Sequence, residues 1–189
     1  MNVTEFVKRV RDIADNYTTT YALGTWGWNG SEKMKNRAIT KNSLNRERAA
    51  YINVLPANGF MFDCAGLIKG ILWGWCGDSS KIYGGAGYAC NGVPDTAALI
   101  NYCTDVSTDF SKIETGELVY IPGHVGVCVD GEKGLVVECT TNWSGKVLYS
   151  YIAEKNPTAD RRRKWSKHGK MSKWIEYNAR VCPTCGRPL

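Results

Sequence analysis

Imidazole is scarce in this chain: of 189 residues only His124 and His168 can supply it, against eight cysteines, Cys64, Cys76, Cys90, Cys103, Cys128, Cys139, Cys182 and Cys185. A mechanism that needs a base near neutral pH therefore has two places to put it. A free thiol is mostly protonated at pH 7, so a nucleophilic cysteine needs a helix N-terminus, a neighbouring imidazole, or both. Cys64 is the one cysteine whose local sequence offers the first. Asp63 stands as an N-cap before an apolar segment, 64–75, in which Leu67, Ile68, Ile71, Leu72 and Trp75 share one helical face. Cys64 then lies in the first turn, where the helix dipole favours thiolate. His124 follows Pro122-Gly123 at the start of a strand-like run, whereas His168, among Ser166, Lys167, Gly169 and Lys170, reads as part of a solvated loop. His124 is the better base towards a thiol and acid towards a leaving amine. Glu138 is the only acidic residue of the run 135–140. If the Asp130-Gly131 turn pairs 124–129 with 135–140, Glu138 lies on the same face as His124 and accepts its second N–H. Residue types alone leave another account open, with Cys64 a buried helix cysteine and Glu138 an outward-facing strand residue.

The elements that must position these groups fall into two halves. Val3, Phe6, Val7, Val10, Ile13, Ala14 and Tyr17 recur at helical spacing, so 2–17 reads as an amphipathic helix. Residues 18–42, with three glycines and a basic run, read as a loop before a short helix at about 43–54 opened by Ser43. The glycine-rich stretch 76–94 reads as a loop, and Pro94-Asp95 opens a short helix to about Cys103. From Glu117 the period changes to two, and 117–121, 124–129, 135–140 and 146–152 read as successive antiparallel strands, followed by a basic loop and a last strand through Trp174, Ile175 and Tyr177. Helices first and short strands afterwards predict an α+β fold, helices packed on one side of an antiparallel sheet.

Length and composition bound the function classes. With 43% hydrophobic, 22% charged and 11% aromatic residues the chain is long enough for one core, which excludes a disordered or collagen-like chain. No window reaches the roughly 18 apolar residues of a membrane span. The N-terminus, which mixes Glu5, Lys8, Arg9, Arg11, Asp12 and Asp15 with its apolar residues, does not read as a secretory signal, so synthesis in the cytoplasm is expected. Without a signal for secretion, most cysteines are expected to be buried thiols, with Cys128 and Cys139 in the core. The net charge of +6 divides into +4 over 1–48, −5 over 49–159 and +7 over 160–189. A cationic tail suits nucleic acid, anionic lipid or an anionic wall polymer, or no partner at all.

Phe62-Asp63-Cys64-Ala65-Gly66-Leu67-Ile68, then Gly116-Glu117-Leu118-Val119-Tyr120 leading to Gly123-His124-Val125-Gly126-Val127, then Val136-Val137-Glu138-Cys139-Thr140, resemble the NlpC-type and CHAP-type cysteine peptidases and amidases of the bacterial cell wall. The resemblance runs from about Tyr17 to Tyr177 and is nearest to phage endolysin catalytic domains. It implies a papain-like fold over 1–178, with a short Cys-x-x-Cys tail at 179–189. It also implies Cys64 as nucleophile, His124 as general base, Glu138 as orienting group, and Tyr21 as a residue lining the acyl site. Tyr21, Asp63, Trp26 and Trp143 are the expected substrate-binding residues, with Trp28 a further candidate groove wall. The implied substrate is peptidoglycan, cleaved at a stem-peptide amide without metal or cofactor, after release of the protein from the cell. Ala65 stands where NlpC-type members commonly have Ser, Glu138 is nearer the CHAP habit than the common His, and the insertion at 28–58 is longer than in compact members, which leaves bond specificity open.

Two further readings compete. Cys182-Pro183-Thr184-Cys185 looks like half of a zinc ribbon, and four ligands require another chain or further residues. Arg161, Arg162, Arg163 and Lys164, the Lys167/Lys170/Lys173 series, Trp165 and Trp174 would suit a nucleic-acid-binding module, although the acidic middle opposes it. A papain-like acyltransferase would share the same nucleophile. The pattern of a zinc nucleobase deaminase is absent.

Overall fold

The computed structural model describes residues 1–81 and 95–177. Cys90, Cys182, Cys185 and the tail 179–189 lie outside them, as does most of the glycine-rich loop. The first helix, α1 (Val3–Asn16), starts at Asn2, whose side chain accepts the Glu5 N–H at 2.8 Å, and it buries Phe6, Val7, Val10 and Ile13. The stretch expected as a loop, 18–42, instead holds β1 (Thr19–Tyr21), β2 (Trp26–Asn29) and α2 (Glu32–Lys41). These strands are three and four residues long and almost wholly buried, so no alternation reveals them, and α2 buries only Met34, Lys35 and Ala38 among its polar residues. The helix expected at 43–54 is two, α3 (Ser43–Glu47), capped by the Asn42 side chain, and α4 (Ala49–Asn53), parted at Arg48.

β3 (Phe60–Phe62) is the centre of a three-stranded sheet, parallel to β1 and antiparallel to β2. The chain passes directly from it into α5 (Cys64–Leu72). Leu67, Ile68 and Ile71 of α5 are fully buried, and each contributes roughly 1.5–3 kcal/mol. The helix ends at Leu72, short of Trp75, because Gly74 turns the chain at φ +93°. Next come α6 (Thr96–Asn101), capped by Asp95, β4 (Thr104–Ser107) and a 3-10 turn at Phe110–Lys112.

The large sheet comprises β4 with β5 (Leu118–Ile121), β6 (His124–Asp130), β7 (Leu135–Cys139), β8 (Val147–Ile152), β9 (Arg162–Arg163) and β10 (Lys167–Lys170), in the order β4-β10-β5-β6-β7-β8-β9. All its pairs are antiparallel except β8 with β9. The basic segment thus supplies β9 and β10, and the strand expected through 174–177 is a turn that touches the N-terminus in a single bridge, Asn2 to Glu176. The chain is α+β.

Both faces of the sheet are covered. Val125, Val127, Val129, Val137, Cys139 and Val147 pack with α1 and α5, whereas Val119, Cys128, Val136 and Ile152 pack on the other side with Phe110, Ile113 and Trp165. That double burial explains the nearly unbroken apolar run of β6. A third cluster, Trp28, Met34, Ala38, Ile52, Leu55 and Met61 with Ala22, fixes the inserted helices to the small sheet. No helix among the described residues is long and apolar enough to cross a membrane.

The seating of α5 depends on Gly66 and Gly70. A Cβ at Gly66 would lie 1.8 Å from the Thr25 carbonyl oxygen, and one at Gly70 would lie 2.8 Å from that of Trp26. Backbone oxygens cannot step aside as side chains do. Gly66→Ala is expected to destabilise the protein by about 3 kcal/mol or to prevent folding, as read by urea unfolding; unchanged stability would show that α5 is seated more loosely.

Candidate active site

Asp63 begins the site. One carboxylate oxygen accepts the Gly66 N–H at 2.5 Å and the other accepts the Gly24 N–H at 2.6 Å, while the Asp63 N–H donates to the Thr25 carbonyl at 3.0 Å. One side chain therefore starts α5 and ties it to the turn after β1. Expected among the substrate contacts, Asp63 has both oxygens engaged by main-chain N–H groups. The same arrangement places Tyr21, which stands opposite Phe62 in the β1–β3 ladder and donates its N–H to the Gly145 carbonyl at 2.8 Å.

Cys64 occupies the first turn of α5 and is 6% exposed. Burial pushes its thiol up to about 12, and the Asp63 charge adds to this; the main-chain N–H groups of Val125, Ala65 and Cys64 itself pull the other way without prevailing. The expectation that the helix start favours a thiolate is therefore reversed. Desolvation is the larger influence and opposes the thiolate that the helix start favours. α5 packs on β6, with Cys64 and Val125, the residue next to His124, in one core cluster.

His124 donates from Nε2 to Glu138 Oε2 at 2.5 Å. Glu138 stands opposite Gly126 in the register of β6 and β7, one diagonal step from His124 on the same face. Gly126 has no room for a side chain, since a Cβ would meet Val136 Cγ1 at 2.8 Å. Glu138 is fully buried and accepts two further groups: Ser150 Oγ at 2.5 Å, and Arg163, whose Nη2 lies 2.8 Å from Oε2 and whose Nε lies 3.2 and 3.1 Å from the two oxygens. Burial opposes ionisation of Glu138, but the hydrogen bonds and charges of His124 and Arg163 outweigh it and hold the carboxyl below its ordinary range. Nε2 is thereby committed to Glu138, and Nδ1 has no hydrogen bond among the described residues. The imidazole also stacks on Trp165, at 5.6 Å between centroids and 13° between planes.

The structure distributes the other expected residues unevenly. Tyr21 is nearly buried; burial, together with the nearby charges of Cys64 and Asp63, raises its hydroxyl far above its ordinary range and keeps it protonated. Trp143 is 44% exposed, has a left-handed backbone at φ +56°, and faces the Arg163 guanidinium at 5.2 Å. Trp26 lies edge-on to Trp28 with Lys41 over its ring, on the α2 side of the small sheet. Trp28 is core, 1% exposed, so it forms no groove wall. His168 is no solvated loop residue. It sits in β10, 2% exposed, bonded through Nδ1 to Glu117 at 2.6 Å and through Nε2 to the Asp109 carbonyl at 3.0 Å. The five described cysteines are free thiols, with Cys64, Cys128 and Cys139 buried. Among the described residues no cluster of three or more His, Cys, Asp or Glu is arranged to hold a metal ion.

Ser150, Arg163 and Trp165 surround Glu138 and His124, although in the sequence Ser150 has no assigned role and Arg163 and Trp165 read only as parts of a nucleic-acid surface. Arg163 was hidden in a basic run, and only the short parallel pair of β9 with β8, Arg163 beside Ile152, brings it to Glu138. With Arg163 paired and Trp165 2% exposed, the proposed nucleic-acid surface loses two of its members. Neither a scan of protein-family models nor a search of curated proteins finds a match to this chain.

Because the carboxyl is held below its ordinary value of 4.5, the stability it contributes is fully present above the unfolded-state value and is lost as pH falls through the folded one. Arg163→Met removes one of the two charges that hold it there. The acid-unfolding midpoint, followed by circular dichroism, is expected to move to higher pH, and stability at neutral pH to fall by about 3–5 kcal/mol. Arg163→Lys should recover part of both, whereas an unmoved midpoint in both variants would show that Arg163 does not hold the charge of Glu138.

Proposed function

We propose that this chain is a cysteine-dependent peptidoglycan hydrolase with a papain-like arrangement, cleaving an amide of the wall stem peptide through an acyl-enzyme. The observation that carries the reading is the junction of α5 with β6. There a cysteine in the first helical turn meets the start of a strand whose histidine is oriented by a buried glutamate. The linked motifs around Cys64, His124 and Glu138 supply the substrate class, and action on the wall after release from the cell belongs to the same reading.

The chemistry follows from the groups in place. Nδ1 of His124 takes the proton of the neutral Cys64 thiol as the sulfur attacks the amide carbonyl carbon. The electron pair of the C=O bond moves onto oxygen, and main-chain N–H groups at the start of α5 stabilise the oxyanion. The imidazolium, stabilised by Glu138, gives its proton to the departing amine as the C–N bond breaks. A water then surrenders a proton to His124, attacks the thioester and releases the carboxylic acid, and the proton returns to sulfur. Burial of the thiol makes proton transfer concurrent with attack. A stored ion pair is not needed.

The test is digestion of purified peptidoglycan by the wild-type protein, Cys64→Ala and His124→Ala, with mass spectrometry of the released fragments. Wild type should generate new termini, Cys64→Ala should release none, and His124→Ala should be slower by about 10²–10⁴-fold. The identity of the new termini separates endopeptidase from amidase. Release that persists in Cys64→Ala would sink the mechanism, and no release by wild type from several wall chemotypes would sink the hydrolase reading.

A further inference from the structure

Arg48 stands between α3 and α4, within the insertion at 28–58, and its side chain returns towards the site. The guanidinium lies 5.7 Å from the Tyr21 ring and 5.0 Å from that of Tyr51. Nε donates to the Tyr21 carbonyl at 3.4 Å and Nη2 to the Gly145 carbonyl at 3.2 Å. Both acceptors are neutral, and among the described residues no carboxylate pairs with Arg48. A guanidinium has five N–H donors, so this one retains both charge and capacity. The contrast is with Arg163, whose charge is matched by Glu138.

The neighbourhood gives that cation a direction. The Tyr21 ring beside the guanidinium belongs to the same buried cluster as Cys64, so Arg48 stands one side chain away from the thiol's surroundings. Gly145 is shaped to it: the backbone is left-handed at φ +62°, and a Cβ would come within 2.5 Å of Nη2. Tyr51 is 60% exposed, and Trp143, in the same turn as Gly145, is exposed and carries the backbone strain typical of binding segments. Lys33, Arg37, Lys41 and Arg46 are exposed on the inserted helices against Glu32 and Glu47, a positive field that draws anions towards this edge.

We propose that Arg48 receives a free carboxylate of the substrate, so that the site takes peptides with an anionic group close to the scissile amide. The planar fork matches a carboxylate as a lysine would not, and the neighbouring Tyr21 and Tyr51 rings help to fix its orientation. The proposal rests on the reading of Cys64 as nucleophile, because that gives the carboxylate its position relative to the cleaved bond.

The experiment uses the full chain and two stem-peptide substrates that differ only in whether the carboxyl nearest the cleaved bond is free or amidated. Wild type should prefer the free acid by about 10- to 100-fold in kcat/KM, chiefly through KM. Arg48→Met should make the two peptides equal, and Arg48→Lys should restore part of the preference; circular dichroism checks that both variants are folded. Equal use by wild type, or a preference that survives Arg48→Met, overturns the proposal. If wild type cleaves neither peptide, the hydrolase reading fails separately, and calorimetric binding to Cys64→Ala decides Arg48. Tighter binding of the free acid, lost on adding Arg48→Met or Arg48→Gln, supports the receptor; equal or absent binding refutes it.

Discussion

Glu138 has no exposure to water, and an unpartnered carboxylate there would cost several kcal/mol. It is tolerated because an imidazole N–H, a hydroxyl and a guanidinium converge on its two oxygens. Those partners come from β6, β8 and β9, so the charge can be satisfied only when strands distant in sequence are paired in register. The Arg163 guanidinium in turn lies 5.2 Å from the Trp143 ring and 5.4 Å from that of Trp165, and Trp165 stacks on the imidazole. Orientation of His124, closure of the outer face of the sheet and placement of Trp143 at the rim all follow from satisfying one buried charge.

The second histidine obeys the same rule with a different outcome. His168 is also held by a carboxylate, Glu117, but its other nitrogen is bonded to the Asp109 carbonyl and its ring lies 5.0 Å from Phe110. Both nitrogens are occupied, so it ties β10 to β5 and the 3-10 turn and has none left for a substrate. His124 has one nitrogen committed. Under the proposed mechanism that difference, more than burial, marks His124 rather than His168 as the base.

The thiol and the imidazole are carried on opposite sides of the sheet. α5 packs on the face of the sheet that carries Val125, Val127 and Val137, whereas His124 and Glu138 belong to the opposite face. The proposed mechanism needs thiol and imidazole to meet past the end of that strand, since His124 is the first residue of β6, where the ladder ends. Val125, next to His124, shares a core cluster with Cys64. Two glycines let α5 press against the main chain of Thr25 and Trp26, and the Asp63 carboxylate holds the helix start and the Tyr21 segment in one piece.

Much of this was legible in the chain. The helical stripe of α1, the Asp63 cap, Cys64 in the first turn and the four strands from Glu117 onward are local patterns, set by periodicity and capping, and the Asp130-Gly131 turn was enough to bring Glu138 onto the face of His124. What stayed hidden depends on partners far away in sequence. The strands of 19–29 are too short to show a period, His168 looked solvated because its neighbours are polar, and Arg163 looked like part of a charged surface because its partner lies 25 residues earlier. The protonation of Cys64 shows the division most clearly: the helix dipole is a local property and favours thiolate, but desolvation is set by everything packed around the sulfur, and it is the larger effect. Residue type and spacing nominate chemistry; only packing decides which charges keep water and which must find a partner.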